Sequence, residues 1–293
     1  MKQCNVRQFF KQFPDDETCL EHLFNTRFGQ GHECPKCKHA AKWYRLKSEQ
    51  AFSCQWCGHH IHPMVGSIFE KSRTPLQLWF YAIFLFTTTR HGVSAKELQR
   101  QLGVTYKCAH RMGTLIRKHM ALVDGEEPLG GEGEVVQIDE TYVGGKSKGK
   151  RGRGAGNKTA VLGMVEPDGK VMAKVIPNAS SKSLHPIIEA NVAKGSELQT
   201  DEWRGYNGLD AKGYDHKKVN HGVKEYVAED GTTTNAVENF WRHVKCSIKG
   251  THISVSPKYL ESYVKEFEYR FNRRTTPEMM LGELLSRFPE LDA

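Results

Sequence analysis

The sequence predicts a multidomain α+β chain, with a small cysteine-rich module, a helical region, and a mixed sheet flanked by helices. Three observations carry this. Two Cys-x-x-Cys pairs lie within residues 34–57, a Gly- and acid-rich stretch fills residues 124–133, and strand-like runs then alternate with helical ones. At 293 residues there is room for two or three domains. The expected parts are an N-terminal segment 1–66 with its ribbon at about 30–62, a helical region 67–123, and a sheet domain 134–293 that includes the C-terminal helices.

Apolar residues at 38% exclude a wholly disordered chain, and a net charge of +8 favours an acidic partner, nucleic acid first. The N-terminus, MKQCNVRQFFKQFPDDETC, has no apolar targeting core. The most apolar run, Leu76 to Phe86, is shorter than the ~20 residues of a spanning helix and reads as a core helix. The expectation is a cytoplasmic chain with no membrane partner, where disulfides are disfavoured.

Cysteines therefore need another explanation. Cys34-Pro-Lys-Cys37 and Cys54-Gln-Trp-Cys57 are separated by 16 residues. Each pair curls around one side of a metal, and two pairs complete the thiolate tetrahedron that structural Zn²⁺ prefers. The surrounding His32, His39, His59, His60 and His62 are surplus to four ligands. Cys4, Cys19, Cys108 and Cys246 have no partner at metal spacing.

A helix is expected from Ser67 to Phe86, with Thr74-Pro75 at its entry. A helix-turn-helix follows. Ser94 caps the first helix with Glu97 at the capping-box position, Gly103 ends it, and Val104-Thr105 open the second. Ala95, Leu98, Leu102, Val104, Ala109, Met112 and Ile116 make the apolar seam. Lys107, His110, Arg111, Arg117 and Lys118 stand ready for a DNA groove or its phosphates. An ordinary helical hairpin is the competing reading.

Beyond the linker, EVVQIDETYVGG (134–145) has the β-branched and aromatic content of a strand, yet Asp139 sits in its middle. The strand Thr159–Glu166, a Pro-Asp-Gly turn and the strand Lys170–Ile176 complete an antiparallel meander. A helix over Ser183–Val192 leads to a strand from Ser196 that ends on a second acid, Asp201. A short strand near Val219 precedes a helix opened by Thr234 and carrying Glu238. This order is the skeleton of a ribonuclease-H-like, integrase-like fold, in which the first and fourth strands lie side by side and Asp139 approaches Asp201. Glu238 would join them.

Three converging carboxylates repel unless a cation lies between them, and hard oxygen ligands suit Mg²⁺ or Mn²⁺. Two such ions about 4 Å apart drive phosphodiester transfer. Glu140 and Glu202, as strand neighbours, are expected to face outward. Lys245 lies seven residues beyond Glu238, on the same helical face, to hold a phosphate or simply meet solvent. Asn235 either ligates metal or caps the helix, and Trp241 packs in the core. The glycine-spaced basic loop from Gly144 to Lys158 suits a DNA backbone. The last long helix, Pro257–Arg274, carries the aromatic stripe Tyr259, Tyr263, Phe267 and Phe271, with Arg270, Arg273 and Arg274 at most near DNA.

The succession of Cys₄ ribbon, helix-turn-helix, IDETYVGGK, TDEWRGY, TNAVENFWRHVK and YVKEFEYRFNRR resembles the DDE transposases of small prokaryotic insertion sequences. Within them it is similar to the zinc-ribbon-headed group related to the ISXO type, from about Cys34 to Arg274. The resemblance implies a first acid at Asp139, a second at Asp201, and a third at Glu238 followed by Lys245. Asn235 is the competing alignment for the third position.

It also implies a nucleoid-associated prokaryotic enzyme that binds double-stranded element ends and cuts them with Mg²⁺ or Mn²⁺. The freed 3′-hydroxyl then joins to target DNA. Pairing two DNA ends in turn suggests at least a dimer, a homo-oligomer in the active complex. Two alternatives stay open: a nuclease or resolvase on the same scaffold, or a DNA-binding regulator without chemistry.

Overall fold

A computed structural model describes residues 4–144, 158–219 and 231–289. The chain divides into two compact units, Met1–Val123 with Thr276–Ala293, and Asp124–Thr275.

In the first unit, α1 (Val6–Gln12) is closed by a capping box at Asn5, and α2 (Asp16–Arg27) by the Asp15 carboxylate on Thr18 N at 2.8 Å. A small antiparallel sheet follows, β1 (Trp43–Leu46), β2 (Ala51–Cys54) and β3 (His60–Ile61), ordered β1-β2-β3. Next come α3 (Leu76–Thr88), α4 (Ala95–Leu102) and α5 (Tyr106–Asp124). Phe9, Phe13, Phe24, Phe69, Trp79, Phe80 and Phe86 fill the core.

The helix expected from Ser67 starts only at Leu76. Ser67 Oγ turns back to Met64 O at 2.7 Å, Ser72 Oγ receives the Trp79 indole at 2.8 Å, and Pro75 disfavours a helical Thr74. Ser94 caps α4 through Glu97 N at 3.1 Å, and Gly103 ends it at φ 65°, where a side chain would be strained. The Glu97 side chain does not close the capping box; it bonds Arg100 and Gln101.

Helix α9 (Met280–Ser286), placed by its position in the chain with the sheet domain, packs instead in the first unit, on α2 and α3. Its Leu284 and Leu285 carbonyls meet His119 Nε2 at 2.8 Å and His22 Nε2 at 2.7 Å.

The second unit is built on β4 (Val135–Gly144), β5 (Lys158–Val165), β6 (Val171–Ile176), β7 (Glu197–Asp201) and β8 (Asp215–Val219), ordered β6-β5-β4-β7-β8. The first three are antiparallel; β7 runs parallel to β4, and β8 parallel to β7. One face, with Val136, Ile138, Leu162, Met164 and Leu198, is covered by α6 (Ser181–Asn191) and by Tyr206, Leu209 and Tyr214. On the other, Val143, Val161, Val165, Val171 and Ala173 pack against α7 (Asn235–Ser247) and α8 (Pro257–Asn272).

Strand β6 lies at the sheet edge, where alternate N–H groups lack a strand partner. Helix α8 supplies side-chain acceptors instead: Asn272 Oδ1 for Val171 N at 2.7 Å, Glu268 Oε2 for Ala173 N at 2.8 Å, and Glu261 Oε2 for Val175 N at 2.8 Å. The α8 stripe is only partly core, since Phe267 is buried with Leu260 and Val264 while Tyr263 and Phe271 are half-buried. Arg270 and Arg273 are committed to ion pairs with Glu266 and Asp124, and Arg274 donates to Gly169 O at 2.9 Å.

Candidate active site and metal centre

Alternation along β4 sends Ile138 and Glu140 to the α6 face and Gln137 and Asp139 to the α7 face. Pairing of Ile138 with Thr200 carries the same phase onto β7, so Asp201 emerges beside Asp139. Helix α7 crosses this end of the sheet. Asp139, Asp201, Thr234, Glu238, Trp241, Arg242, Lys245 and Cys246 line one open pocket of about 480 Å³.

Glu238, Arg242 and Lys245 follow one another at helical spacing, so an acid and two cations share a face. Glu238 Oε1 accepts from Thr234 Oγ1 at 3.0 Å, and Asp201 Oδ1 accepts from Trp203 N at 3.0 Å. Trp241 packs closely against β5 because Gly163, the residue opposite Asp139, has no side chain. A Cβ there would meet the indole Cζ2 at 2.5 Å.

The acids sense one another. Burial raises the Asp139 carboxyl from about 3.8 to about 7; the charges of Glu140, Asp201 and Glu238 push the same way, against a hydrogen bond from the Glu140 backbone. Glu140 is therefore part of this site's field. The sequence reading sent it outward, but it is buried and accepts from the Tyr206 hydroxyl at 2.7 Å. Burial, then Glu140, hold that phenol well above 10. Glu202 is exposed, as expected.

Asn235 lies exposed at the start of α7 and is not among the pocket-lining residues. Of the basic loop expected from Gly144 to Lys158, Gly144 ends β4 and Lys158 opens β5, while residues 145–157 lie outside the described residues.

In the first unit, the four expected cysteines come together with their sulfurs all within 4.8 Å. Cys34 Sγ lies 3.6 Å from Cys57 Sγ, and Cys37 Sγ 3.9 Å from Cys54 Sγ. A tetrahedron with ~2.3 Å Zn–S bonds has S–S edges of about 3.8 Å. Burial alone would raise the Cys34 thiol, but the Cys37 and Lys36 amides and neighbouring thiols bring it down to about 6. The cluster fits structural zinc. No other group of three or more Asp, Glu, His or Cys among the described residues meets that spacing, so the three acids stand further apart than the cysteines.

Residues 128–272 match the model of an ISXO2-like transposase domain, and residues 14–60 that of a transposase zinc-ribbon domain. An uncharacterized transposase-like protein of Haemophilus influenzae is 36% identical over 103 residues, covering 35% of this chain and 81% of that protein. The chain belongs to the ISXO2-like transposase family. An uncharacterized protein in transposable element ISH50 of Halobacterium salinarum is 26% identical over 284 residues, covering 89% of this chain and 92% of that protein.

Within this ISXO2-like domain the pocket falls inside the matched segment, as does every strand of the larger sheet. Sequence reasoning missed Arg242, Thr234 and Cys246 as lining residues. Arg242 was legible as the residue one turn beyond Glu238; Cys246 carried no such signal. Among the described residues, no helix is long and apolar enough to cross a membrane.

Proposed function

We propose that the chain is a DNA transposase whose chemistry runs at Asp139, Asp201 and Glu238. The observation that carries this is their convergence, from two parallel strands and one helix, on a single pocket within the family-matched domain. The sheet order and the α7 crossing support a ribonuclease-H-like scaffold. The oxygen-only donor set, with Asp139 raised to about 7 first by burial and then by the neighbouring acids, supports Mg²⁺ or Mn²⁺.

A divalent ion bound there would supply charge neutralisation and polarise the attacking and leaving oxygens. The carboxylates of Asp139, Asp201 and Glu238 would hold it. Arg242 and Lys245, on the same face as Glu238, would bind non-bridging phosphate oxygens and orient the scissile strand. Attack by water on the scissile phosphorus would break its bond to the 3′-oxygen, leaving a 3′-hydroxyl and a 5′-phosphate. In-line attack of that hydroxyl on a target phosphodiester would displace the target's own 3′-hydroxyl and join the strands.

The first unit would recognise element ends. Helices α4 and α5 meet at the Gly103 turn of a helix-turn-helix, with Lys107, Arg111 and Lys118 exposed for phosphates. Arg117, expected on that face, is excluded: it is buried over the Phe86 ring at 5.1 Å and donates to Val93 O at 3.1 Å. Pairing two element ends calls for at least two copies of the chain.

The test is Mg²⁺-dependent cleavage and strand transfer on the element's own ends with Glu238→Gln and Asn235→Ala. Loss of both steps in Glu238→Gln, with Asn235→Ala retaining most activity, is expected. The reverse pattern moves the third position to Asn235. Wild type that binds ends without cutting leaves a regulator, and cutting without joining leaves a nuclease.

A further inference from the structure

Two buried glutamines stand just behind the aspartates. Gln137 and Gln199 are register partners on β4 and β7, 2% and 6% exposed. Each precedes an acid by two positions, so Gln137 shares the sheet face of Asp139 and Gln199 that of Asp201.

Their amides form a directed chain. Ala236 N–H donates to Gln137 Oε1 at 2.8 Å, and Gln137 Nε2 donates to Gln199 Oε1 at 3.3 Å. Thr233 N–H donates to that same Gln199 oxygen at 3.1 Å, and Gln199 Nε2 ends the chain on Glu197 Oε1 at 2.7 Å. The order has one sense, because turning Gln137 round would set its NH₂ against the Ala236 N–H.

What the chain grips is the start of α7. First-turn amides of a helix have no intrahelical acceptor, and the Thr234 hydroxyl, which could cap them, bonds Glu238 instead. The Ala236 amide is capped from the sheet. Glu238 lies two residues further, about 3 Å along the helix axis. Asp139 and Asp201 lie two residues along their strands, about 7 Å beyond the glutamines.

One amide pair therefore sets the helix against both strands at the level from which all three acids project. Apolar side chains here would leave the Ala236 and Thr233 amides without these acceptors. A local cap would close the helix without tying it to either strand.

We infer that Gln137 and Gln199 are positioning residues: they clamp the start of α7 so that Glu238 meets the cation shared with Asp139 and Asp201. This rests on the reading of those acids as a cation site.

Gln137→Met and Gln199→Met keep the volume and remove the amide. In zinc-loaded protein, Mn²⁺ binding is measured by calorimetry and electron paramagnetic resonance, beside Mg²⁺-dependent cleavage and end binding, with wild type and Asp139→Asn alongside. Each variant should weaken Mn²⁺ about tenfold and slow cleavage at least tenfold, with end affinity unchanged. The double variant should be no worse than either single, as for one unit.

Wild-type Mn²⁺ affinity and cleavage in both single variants overturn the clamp while the acid site stands. Multiplying effects in the double overturn it too. Wild type that binds no Mn²⁺ removes the acid reading and the clamp with it. Should Gln137→Met lose its circular dichroism, Gln137→Asn, one methylene short of Ala236, carries the same expectation.

Discussion

Replacing Asp139 by Asn removes a charge and keeps the shape. The Asp139 carboxyl is raised from about 3.8 to about 7, first by burial and then by Glu140, Asp201 and Glu238. A raised carboxyl favours folding in its protonated form. Its contribution is fully present below the unfolded pKa of about 3.9 and is lost as pH rises through about 7.

Above that, ionised Asp139 is a net cost. A proton affinity raised roughly a thousandfold, at about 1.4 kcal/mol per tenfold, gives a ceiling near 4 kcal/mol. Asp139 keeps some solvent contact, so about 2 kcal/mol is the working figure after screening. At about 2–4 °C per kcal/mol for a unit of this size, Asp139→Asn should raise the melting temperature by about 4–8 °C at pH 8. The gain should vanish near pH 4. If the three acids form the cation site proposed above, Ca²⁺ should stabilise wild type at pH 8 and leave the variant unmoved. Calorimetry between pH 4 and 9, with and without Ca²⁺, reads all three. An equal gain at both pH values, or equal Ca²⁺ stabilisation of the variant, would refute a cost of ionising Asp139 in its buried place among the other acids.

Two further outcomes follow from the packing. Cys57→Ser should abolish zinc binding and unfold the ribbon, since such sites contribute about 10 kcal/mol or more of folding free energy, while the Mn²⁺ binding proposed for the second unit should persist. Retention of one zinc per chain, measured by a chromogenic chelator, would count against the Cys₄ site. Gly163→Ala puts a methyl at 2.5 Å from the Trp241 ring, so the indole must leave β5 beside Asp139. An overpacking cost of about 1–3 kcal/mol in urea denaturation is expected, with altered tryptophan fluorescence. An unchanged midpoint would show that the indole has room to give.

Chemistry with a strict local spacing was legible along the chain. Two thiolates per knuckle need Cys-x-x-Cys, and the cysteines converge as expected. Ser94 and Gly103 announce the ends of α4 because caps act within a turn. Alternation along 135–144 and the order of elements brought Asp139, Asp201 and Glu238 to one pocket.

Other features needed partners distant in sequence. Glu140 reads as a solvent acid until Tyr206, 66 positions away, covers it. Glu261, Glu268 and Asn272 look like the polar side of α8, yet they stand in for the strand that β6 lacks. Residues from Thr276 on join the first unit because their apolar side finds cover there. Gln137 and Gln199 are two polar residues in strand runs, and only the register of β4 with β7 and the approach of α7 turn them into a clasp. Sequence determines what each residue can offer, since propensity, capping and ligand spacing act over a few bonds. The tertiary structure decides which buried polar groups find partners, because desolvation is repaid only where distant segments meet.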